Sequence, residues 1–408
     1  MLNGEVHDWY RFRLGFSDHL VSDLLAELGA TKRSRILDPF CGTGTVLVEC
    51  MKQGVDCVGI DANPATFFAA QVKTTWNLEP DRVLELLDDV ENSCERHLSV
   101  STLASDPTFR YLEDAGFLGR GWIEVEPLLE ALALKRAIRA LHSSEKYRRL
   151  LLLALLAAVV EDGSNLKFGP ELYCSKRTTA PDVMGSFIDR VETMAADLRV
   201  LSVVAHGTAT VILGDSRECD RLLDEREQFD MVICSPPYPA EHDYTRNTRM
   251  ELALLEHVVD RATLREIKHT MIRSHTKGLY SEDNDRQYVK DDFFVQSLVG
   301  QIQAAVKGKT YGFARLYPRV AEEYFGGIVR HLRNLHKRLA TNAFCAYIVG
   351  DQSSYLGVHV PTAKVLAHLA RENGYELVEI RHWRHRWSSS MSRQVGENIL
   401  ILRSSRNA

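Results

Sequence analysis

The chain has 408 residues, of which 45% are hydrophobic and 26% are charged, and its formal net charge is −5. This length can bury a large core and accommodates one elaborated domain or two. No apolar run is long enough to span a membrane, the N-terminus lacks a signal-peptide pattern, and the eight cysteines form no C-x-x-C pair. We therefore expect a cytoplasmic protein with no metal site. The net charge argues against indiscriminate nucleic-acid binding but is compatible with a local basic groove.

A glycine turn near the N-terminus predicts a ligand site at a strand end. Residues 35–38 form a predicted strand, 41–45 a turn, and 46–52 a helix. Glycines let the backbone approach a ligand closely, and the start of a helix supplies N–H groups. A second predicted strand, 57–61, ends in Asp61, whose carboxylate is placed to accept ribose hydroxyls. The G-x-G-x-x-G of a nicotinamide site is absent.

Helical periodicity dominates the region between the second strand and residue 203. It predicts helices over 81–97, 125–141, 145–160 and 182–201, which would form a helical insertion. An earlier helix carries Leu20, Leu24, Leu25 and Leu28, with Ser17 as a candidate cap. Residues 163–177 form a polar loop with Lys167, Lys176 and Arg177. This loop either contacts nucleic acid or shields a site from water.

A short apolar strand, 229–234, ends in Ser235-Pro236-Pro237-Tyr238. Neither proline can donate a ladder hydrogen bond, so the strand must stop there. The resulting turn offers acceptors, the Ser235 hydroxyl and the Pro236 carbonyl, beside the aromatic face of Tyr238. That set suits a flat base with an exocyclic amino group. Cys234 lies on the strand, and we interpret it as a core residue.

These two motifs together resemble the amino-methyltransferases that act on exocyclic amines of DNA bases. The resemblance implies S-adenosyl-L-methionine as cofactor and a Rossmann-like α/β fold, with a mostly parallel sheet and an antiparallel closing strand. It implies Ser235, Pro236, Pro237 and Tyr238 as catalytic residues. Its cofactor-binding residues would be Trp9, Arg11, Phe12, Asp38, Pro39, Phe40, Cys41, Gly42, Thr43, Gly44, Thr45, Asp61, Ala62, Asp215 and Ser216. Trp9, Arg11 and Phe12 alternatively pack as an aromatic segment on the core. Residues 1–76 and 206–408 would form the two halves of the methyltransferase core, and 77–205 the inserted subdomain.

The Ser form of the catalytic motif is commoner in cytosine-N4 enzymes, and the Asp or Asn form in adenine-N6 enzymes. We therefore expect a site-specific cytosine-N4 methyltransferase that acts on a base flipped out of double-stranded DNA. Adenine-N6 methylation, an RNA amino-methyltransferase, and a non-catalytic cofactor-binding subunit remain as alternatives. No nuclease motif is visible, so any restriction endonuclease partner would be a separate chain.

Three later segments carry candidate nucleic-acid contacts. The polar stretch after the catalytic motif offers Tyr244, Arg246 and Arg249, although the arginines could instead pair with structural carboxylates. Residues 273–292 resemble an exposed loop, and it contains Arg273 and Lys277. Residues 382–393 interleave cations, Trp and Ser, including Arg384, Arg386, Trp387, Ser388 and Ser389. A solvated hairpin anchored by its Trp residues is the alternative there.

The remaining apolar patterns predict the rest of the sheet and its helices. Predicted strands cover 210–215, 343–351, 375–383 and 397–402, and predicted helices cover 250–258, 293–306, 321–339 and a segment ended by Gly374. The whole interpretation requires the glycine turn and the proline corner to lie side by side at the carboxyl edge of one sheet.

Overall fold

The computed structural model describes residues 6–12, 15, 17–94, 105–168, 172–175, 177–308, 312–388 and 393–405. The strands are β1 (Arg35–Asp38), β2 (Asp56–Asp61), β3 (Leu166–Phe168), β4 (Leu172–Cys174), β5 (Ala209–Leu213), β6 (Phe229–Cys234), β7 (Leu339–Gly350), β8 (Tyr375–Ser388) and β9 (Arg393–Ser404). The α-helices span Asp18–Glu27, Thr45–Lys52, Pro64–Lys73, Pro80–Cys94, Pro107–Asp114, Val125–Ala140, Glu145–Ala158, Val183–Leu201, Cys219–Leu222, Tyr244–Asn247, Arg249–Leu254, Arg261–His269, Phe293–Val306, Tyr317–His336 and Thr362–Arg371. Within these ranges no helix has the length and apolarity to cross a membrane.

The chain divides into two compact units. The helical unit comprises Met1–Gly15, Pro64–His206 and Thr245–Glu266, and the sheet unit comprises Phe16–Asn63, Gly207–Tyr244 and Ile267–Ala408. The sheet unit holds a seven-stranded sheet in the order β5-β2-β1-β6-β7-β9-β8. The pairs from β5 through β7 are parallel, and β9 runs antiparallel to both β7 and β8. The predicted α/β fold, mostly parallel with an antiparallel closing strand, is confirmed.

The strands at the centre of the sheet are short, apolar and buried. Ile36 and Leu37 of β1 and Val232 of β6 are fully buried, as expected for strands that are covered on both faces. β6 ends at Cys234 because the prolines that follow have no N–H to donate to the ladder. β1 ends at Asp38, and the glycine turn leads from it into the helix Thr45–Lys52.

The helical unit packs four helices, Pro80–Cys94, Val125–Ala140, Glu145–Ala158 and Val183–Leu201, through buried aliphatic side chains. The long helix begins at Val183 because the Asp182 carboxylate accepts the backbone N–H of Gly185, at 2.8 Å. Lys135 is fully buried, and its ammonium reaches the Thr108 hydroxyl at 2.8 Å and the Glu256 carboxylate at 3.0 Å. These contacts tie three segments of this unit together.

Several predicted boundaries shift. The polar loop 163–177 contains the antiparallel hairpin β3–β4, which its polarity concealed. β8 and β9 are longer than predicted, since alternating polar and aromatic residues can pair as strands without an apolar face. The prediction of an exposed loop over 273–292 is wrong at its start, where Arg273, Ser274 and Thr276 are buried. Ser17 occupies the cap position of its helix but makes no capping hydrogen bond.

Gly59 of β2 allows the helix Thr45–Lys52 to approach the sheet beneath the glycine turn. A Cβ at this position would lie 2.7 Å from Leu47 Cδ1 and 2.9 Å from Cys41 Cβ. We predict that Gly59→Ala lowers the free energy of unfolding by about 1–3 kcal/mol through overpacking. The control is Gly300→Ala, on the helix Phe293–Val306, where a Cβ meets nothing within 4 Å. That change should stabilise the protein by about 0.5–1 kcal/mol. Urea unfolding measures both variants, and equal effects would contradict the packing argument.

Candidate active site

The glycine turn and the proline corner end two neighbouring parallel strands. Ile36 pairs with Met231 and Leu37 with Val232, so β1 and β6 deliver their following residues to the same edge of the sheet. Gly42 and Gly44 have φ values of 52° and 84°, in the left-handed region that glycine adopts without strain. A Cβ on Gly42 would meet nothing within 4 Å. The turn is therefore open on one side, as a ligand-binding turn must be.

Two carboxylates fix the shape of the glycine turn. Asp61 Oδ2 accepts the Gly42 N–H at 2.8 Å, and its Oδ1 accepts the Asn63 N–H at 2.8 Å. A carboxylate oxygen can accept more than one hydrogen bond, so these contacts are compatible with the predicted ribose contact of Asp61, which stays a prediction. Asp38 is buried and accepts the Phe40 N–H at 3.0 Å. Burial raises the pKa of the Asp38 carboxyl well above its usual value.

The residues after β5 adjoin the glycine turn from a third strand of the sheet. The buried Ser216 hydroxyl donates to the Pro39 carbonyl, which joins the two segments. Asp215 is held by Arg217, whose Nη2 lies 2.7 Å from Asp215 Oδ2 and whose backbone N–H donates to Oδ1 at 2.9 Å. Any cofactor amino group that binds Asp215 therefore shares the carboxylate with this guanidinium. That role stays a prediction.

His331 supports this edge from the helix Tyr317–His336. Its ring is buried, with Nδ1 at 2.9 Å from the Ser216 carbonyl and Nε2 at 3.1 Å from the Tyr347 hydroxyl. It packs edge-on against Phe40, with ring centroids 4.8 Å apart. Burial lowers the pKa of His331 to about 4, so the imidazole is neutral at physiological pH.

The proline corner is held by hydrogen bonds from outside the motif. The Tyr324 hydroxyl donates to the Pro237 carbonyl at 2.8 Å, and the Tyr238 N–H donates to the Tyr244 hydroxyl at 2.9 Å. The Ser235 hydroxyl lies 3.4 Å from the Tyr238 hydroxyl. The corner therefore has a fixed backbone. Tyr244, predicted as a nucleic-acid contact, acts here as a support.

The loop after the corner is fastened to a segment that the sequence predicted as exposed. The Glu241 N–H donates to the Ser274 carbonyl at 3.0 Å, and the Glu241 carboxylate accepts the Thr276 N–H at 2.9 Å. Asp243 pairs with Lys268 at 2.6 Å. Arg273 lies beneath this contact, and its guanidinium pairs with Asp283 at 2.8 Å and donates to the Lys268 carbonyl at 2.7 Å. Arg273 is buried by these contacts, and its role in nucleic-acid binding stays a prediction.

The other predicted nucleic-acid residues occupy varied surroundings. In the sheet unit, Lys277 lies over the Phe313 ring at 5.8 Å, and Arg384 lies over the Trp383 ring at 4.0 Å. Lys176 and Ser389 lie outside the described residues, and the side chains of Arg386, Trp387 and Ser388 are likewise outside the description. For these residues, nucleic-acid binding stays a prediction.

In the helical unit, three predicted arginines donate to neighbouring groups. Arg177 donates to the carbonyls of Glu161, at 2.8 Å, and Ser164, at 3.2 Å. Arg246 Nη2 lies 3.3 Å from the Leu172 carbonyl, and Arg249 Nη2 lies 3.1 Å from Thr245 Oγ1. Nucleic-acid binding by these arginines also stays a prediction.

The N-terminal segment of the helical unit is anchored by Trp9. This residue is buried, and its indole N–H donates to Asp197 at 2.7 Å, which matches the packing alternative for Trp9. Arg11 instead pairs with Asp8 at 3.0 Å on the surface, and Phe12 is partly buried. Arg11 and Lys167 line a cavity of about 200 Å³ in this unit. Their roles in ligand binding stay predictions.

Glu397 is the residue that the sequence interpretation missed. It lies on β9, only 5% exposed, and pairs across the ladder with Gly350 at the end of β7. Its carboxylate is paired with Arg384 and lies 3.5 Å from the Tyr238 hydroxyl. A lone carboxylate in an otherwise apolar strand pattern was the available signal.

The donor set at this edge fits S-adenosyl-L-methionine. An open glycine turn with the N-terminus of a helix suits the amino acid part of the cofactor, and Asp61 suits its ribose. The beginning of a helix also leaves backbone N–H groups without intrahelical acceptors. The fold and the site together define a methyltransferase that uses S-adenosyl-L-methionine.

Comparisons of the sequence with known proteins agree with this class. The family model UPF0020, described as RMKL-like, methyltransferase domain, matches residues 15–116. The type II methyltransferase M.BsoBI of Geobacillus stearothermophilus is 23% identical over 97% of this chain and 83% of its own length. The type II methyltransferase M.AvaI of Nostoc sp. is 23% identical over 91% of this chain and 79% of its own length. A TehB-like SAM-dependent methyltransferase structure from Corynebacterium glutamicum shares 9% identity at a TM-score of 0.30, over 95% of this chain and 88% of that one.

His331 should make the sheet unit sensitive to acid. The pKa of His331 is about 4 in the folded protein and lies below the usual value of 6.5. As the pH falls from 6.5 toward 4, the unfolded chain therefore gains a proton at His331 and the folded chain does not. Stability is therefore full above pH 6.5 and falls as the pH drops toward 4. We predict that wild type loses about 2–3 kcal/mol more than His331→Gln between pH 7 and pH 4.5. Urea unfolding at both pH values measures this difference, and parallel pH profiles would contradict the assignment.

Proposed function

We propose that this chain is a type II DNA methyltransferase that transfers a methyl group to the exocyclic amine of a base flipped out of the duplex, with cytosine N4 as the target. The observation that carries the proposal is the pairing of β1 with β6, which brings the glycine turn and Ser235–Tyr238 to one edge of the sheet. Similarity to type II methyltransferases over nearly the whole chain supports the choice of DNA and the restriction-modification setting.

The chain's own residues would hold the cofactor and the base in separate places. Asp61 and the turn Cys41–Thr45 would bind the cofactor, and Asp215 and Ser216 would lie beside its adenine. When bound, S-adenosyl-L-methionine supplies an electrophilic methyl group on a sulfonium. Tyr238 would stack on the flipped base and replace the stacking that the base loses on leaving the duplex.

The proline corner is built to receive an amine. An exocyclic amino nitrogen is a poor nucleophile because its lone pair is delocalised into the ring. Hydrogen bonds from its two N–H groups to the Ser235 hydroxyl and the Pro236 carbonyl would favour tetrahedral character at the nitrogen. The lone pair is then available for in-line attack on the methyl carbon, the carbon–sulfur bond would break as the carbon–nitrogen bond forms, and the methylated nitrogen would release one proton to solvent. Much of the acceleration would come from positioning, and no covalent enzyme intermediate is required.

The thiols near the site do not support a cytosine-C5 reaction. That chemistry needs a reactive cysteine, whereas Cys234 is fully buried on β6. Burial raises the pKa of the Cys234 thiol well above its usual value, so the thiolate is disfavoured. Cys234 is a core residue, as interpreted from the sequence, and the nucleophile is the substrate amine.

A nucleoside analysis tests the target base and the polymer together. DNA and RNA from cells that express the protein would be digested, and the nucleosides separated by mass. We expect N4-methylcytosine in DNA. N6-methyladenine in DNA would replace cytosine with adenine as the target, and a methylated amino base found only in RNA would overturn the DNA assignment. A restriction endonuclease partner, which we propose to be a separate chain, would be sought as an activity blocked by this modification.

The corner residues should separate catalysis from cofactor binding. We predict that Ser235→Ala and Tyr238→Ala each lower the rate of methyl transfer by about 10²-fold or more, because an acceptor or a stacking surface is lost. Binding of S-adenosyl-L-methionine, measured by calorimetry, should stay close to wild type. Ser281→Ala serves as the control, since Ser281 is exposed and bonds only to its neighbour Glu282 among the contacts described. Wild-type rates in either corner variant would refute the assigned roles.

A further inference from the structure

The hydroxyl of Tyr238 has contacts that base stacking does not require. It lies 3.4 Å from Ser235 Oγ, 3.4 Å from the Ile348 carbonyl and 3.5 Å from Glu397 Oε1. A phenylalanine would stack equally well. Hydrogen bonds at catalytic sites are often long before substrate binds and shorten in the complex, so these separations suit a network that tightens around a substrate.

Glu397 is suited to direct this network. Its side chain is 7% exposed, and an ionised carboxylate so buried needs a partner. Arg384, its cross-strand neighbour, supplies that partner with a guanidinium that is half exposed. A carboxylate paired with a guanidinium only accepts hydrogen bonds, and it accepts more strongly than a neutral carbonyl such as that of Ile348.

We propose that Glu397 is a positioning residue that acts through the hydroxyl of Tyr238. The Tyr238 proton is directed to Glu397, the Tyr238 oxygen accepts the Ser235 proton, and the lone pairs of Ser235 Oγ are left facing the target amine. This inference rests on the proposed function, since only an amine substrate requires Ser235 to be an acceptor.

The direction of the hydrogen bonds from Ser235 through Tyr238 to Glu397 matters because a hydroxyl is both donor and acceptor. If the Ser235 proton pointed toward the base, it would oppose an N–H of the amine. Replacing Glu397 with glutamine keeps the shape but adds an amide donor, so the direction is no longer fixed. Arg384 remains half exposed in that variant and can be solvated by water.

The test uses the full-length protein and unmethylated plasmid DNA. We expect Glu397→Gln and Tyr238→Phe each to slow single-turnover methyl transfer about tenfold, the effect of one lost hydrogen bond. The affinities for S-adenosyl-L-methionine and DNA should stay unchanged. The double variant should be no slower than Tyr238→Phe, because Glu397 acts only through the hydroxyl. Glu376→Gln is the matched control, since this carboxylate also pairs with an arginine across β8 and β9, with Glu376 Oε2 at 2.7 Å from Arg403.

The outcomes separate this inference from the proposed function. If the wild-type protein methylates DNA and Glu397→Gln does so at the same rate, the role of Glu397 is overturned but the proposed function is not. The same holds if the rate losses of Glu397→Gln and Tyr238→Phe multiply in the double variant. A wild-type protein that methylates neither DNA base would refute the proposed function. In that case, NMR of the isolated protein with tyrosine labelled at Cζ still tests whether the Tyr238 hydroxyl is hydrogen-bonded to Glu397. The Tyr238 signal should shift in Glu397→Gln and stay in Glu376→Gln, and an unshifted signal would overturn the inference.

Discussion

The parallel pairing of β1 and β6 is the constraint on which the site depends. Parallel neighbouring strands in a sheet end at the same edge, so the pairing of the strands alone brings the residues that follow them to that edge. Both strands are short and, apart from Arg35 and Asp230, consist of buried residues. A shift of one residue in register would move their apolar side chains to the other face. The core therefore fixes the spacing between the glycine turn and the proline corner.

Ionic contacts, mostly buried at Arg217 and partly exposed at Arg330, join the residues on the cofactor side of this edge. Arg217 pairs with Asp215 at 2.7 Å and with Asp285 at 2.5 Å, and Arg330 pairs with Asp285 at 3.3 Å and with Glu218 at 2.6 Å. Such pairs contribute little net stability because desolvation offsets their attraction, but the loss of one partner leaves a buried charge uncompensated. Through Asp285 and Glu218, these pairs connect the residues after β5 with Arg330 of the helix Tyr317–His336.

The sequence revealed the parts of the molecule that follow local rules. Short apolar runs ended by Pro236 or by the glycine turn predicted the strands and both motifs, because such signals lie within a few neighbouring residues. Arg273 and Glu397 could not be placed in this way. Arg273 is buried because Asp283 and backbone carbonyls satisfy its guanidinium, and Glu397 reaches Tyr238 only because β9 returns beside β7. The Arg273 contacts lie within ten residues along the chain but follow no helical or strand period. The contact between Tyr238 and Glu397 joins residues that are 159 positions apart.

The arrangement of donors at the proline corner supports the proposal that an exocyclic amine is the substrate. Pro236 and Pro237 have no N–H, and the N–H of Tyr238 is donated to Tyr244. If the Ser235 proton is directed to Tyr238, as we propose, the four-residue motif faces a substrate mainly with lone pairs. A carbonyl or an unprotonated ring nitrogen would find no N–H on Pro236 or Pro237, and the N–H of Tyr238 is already donated, whereas an exocyclic amine brings two donors of its own. The corner would thus select its reacting atom by the polarity of its hydrogen bonds, before any contact with the rest of the base.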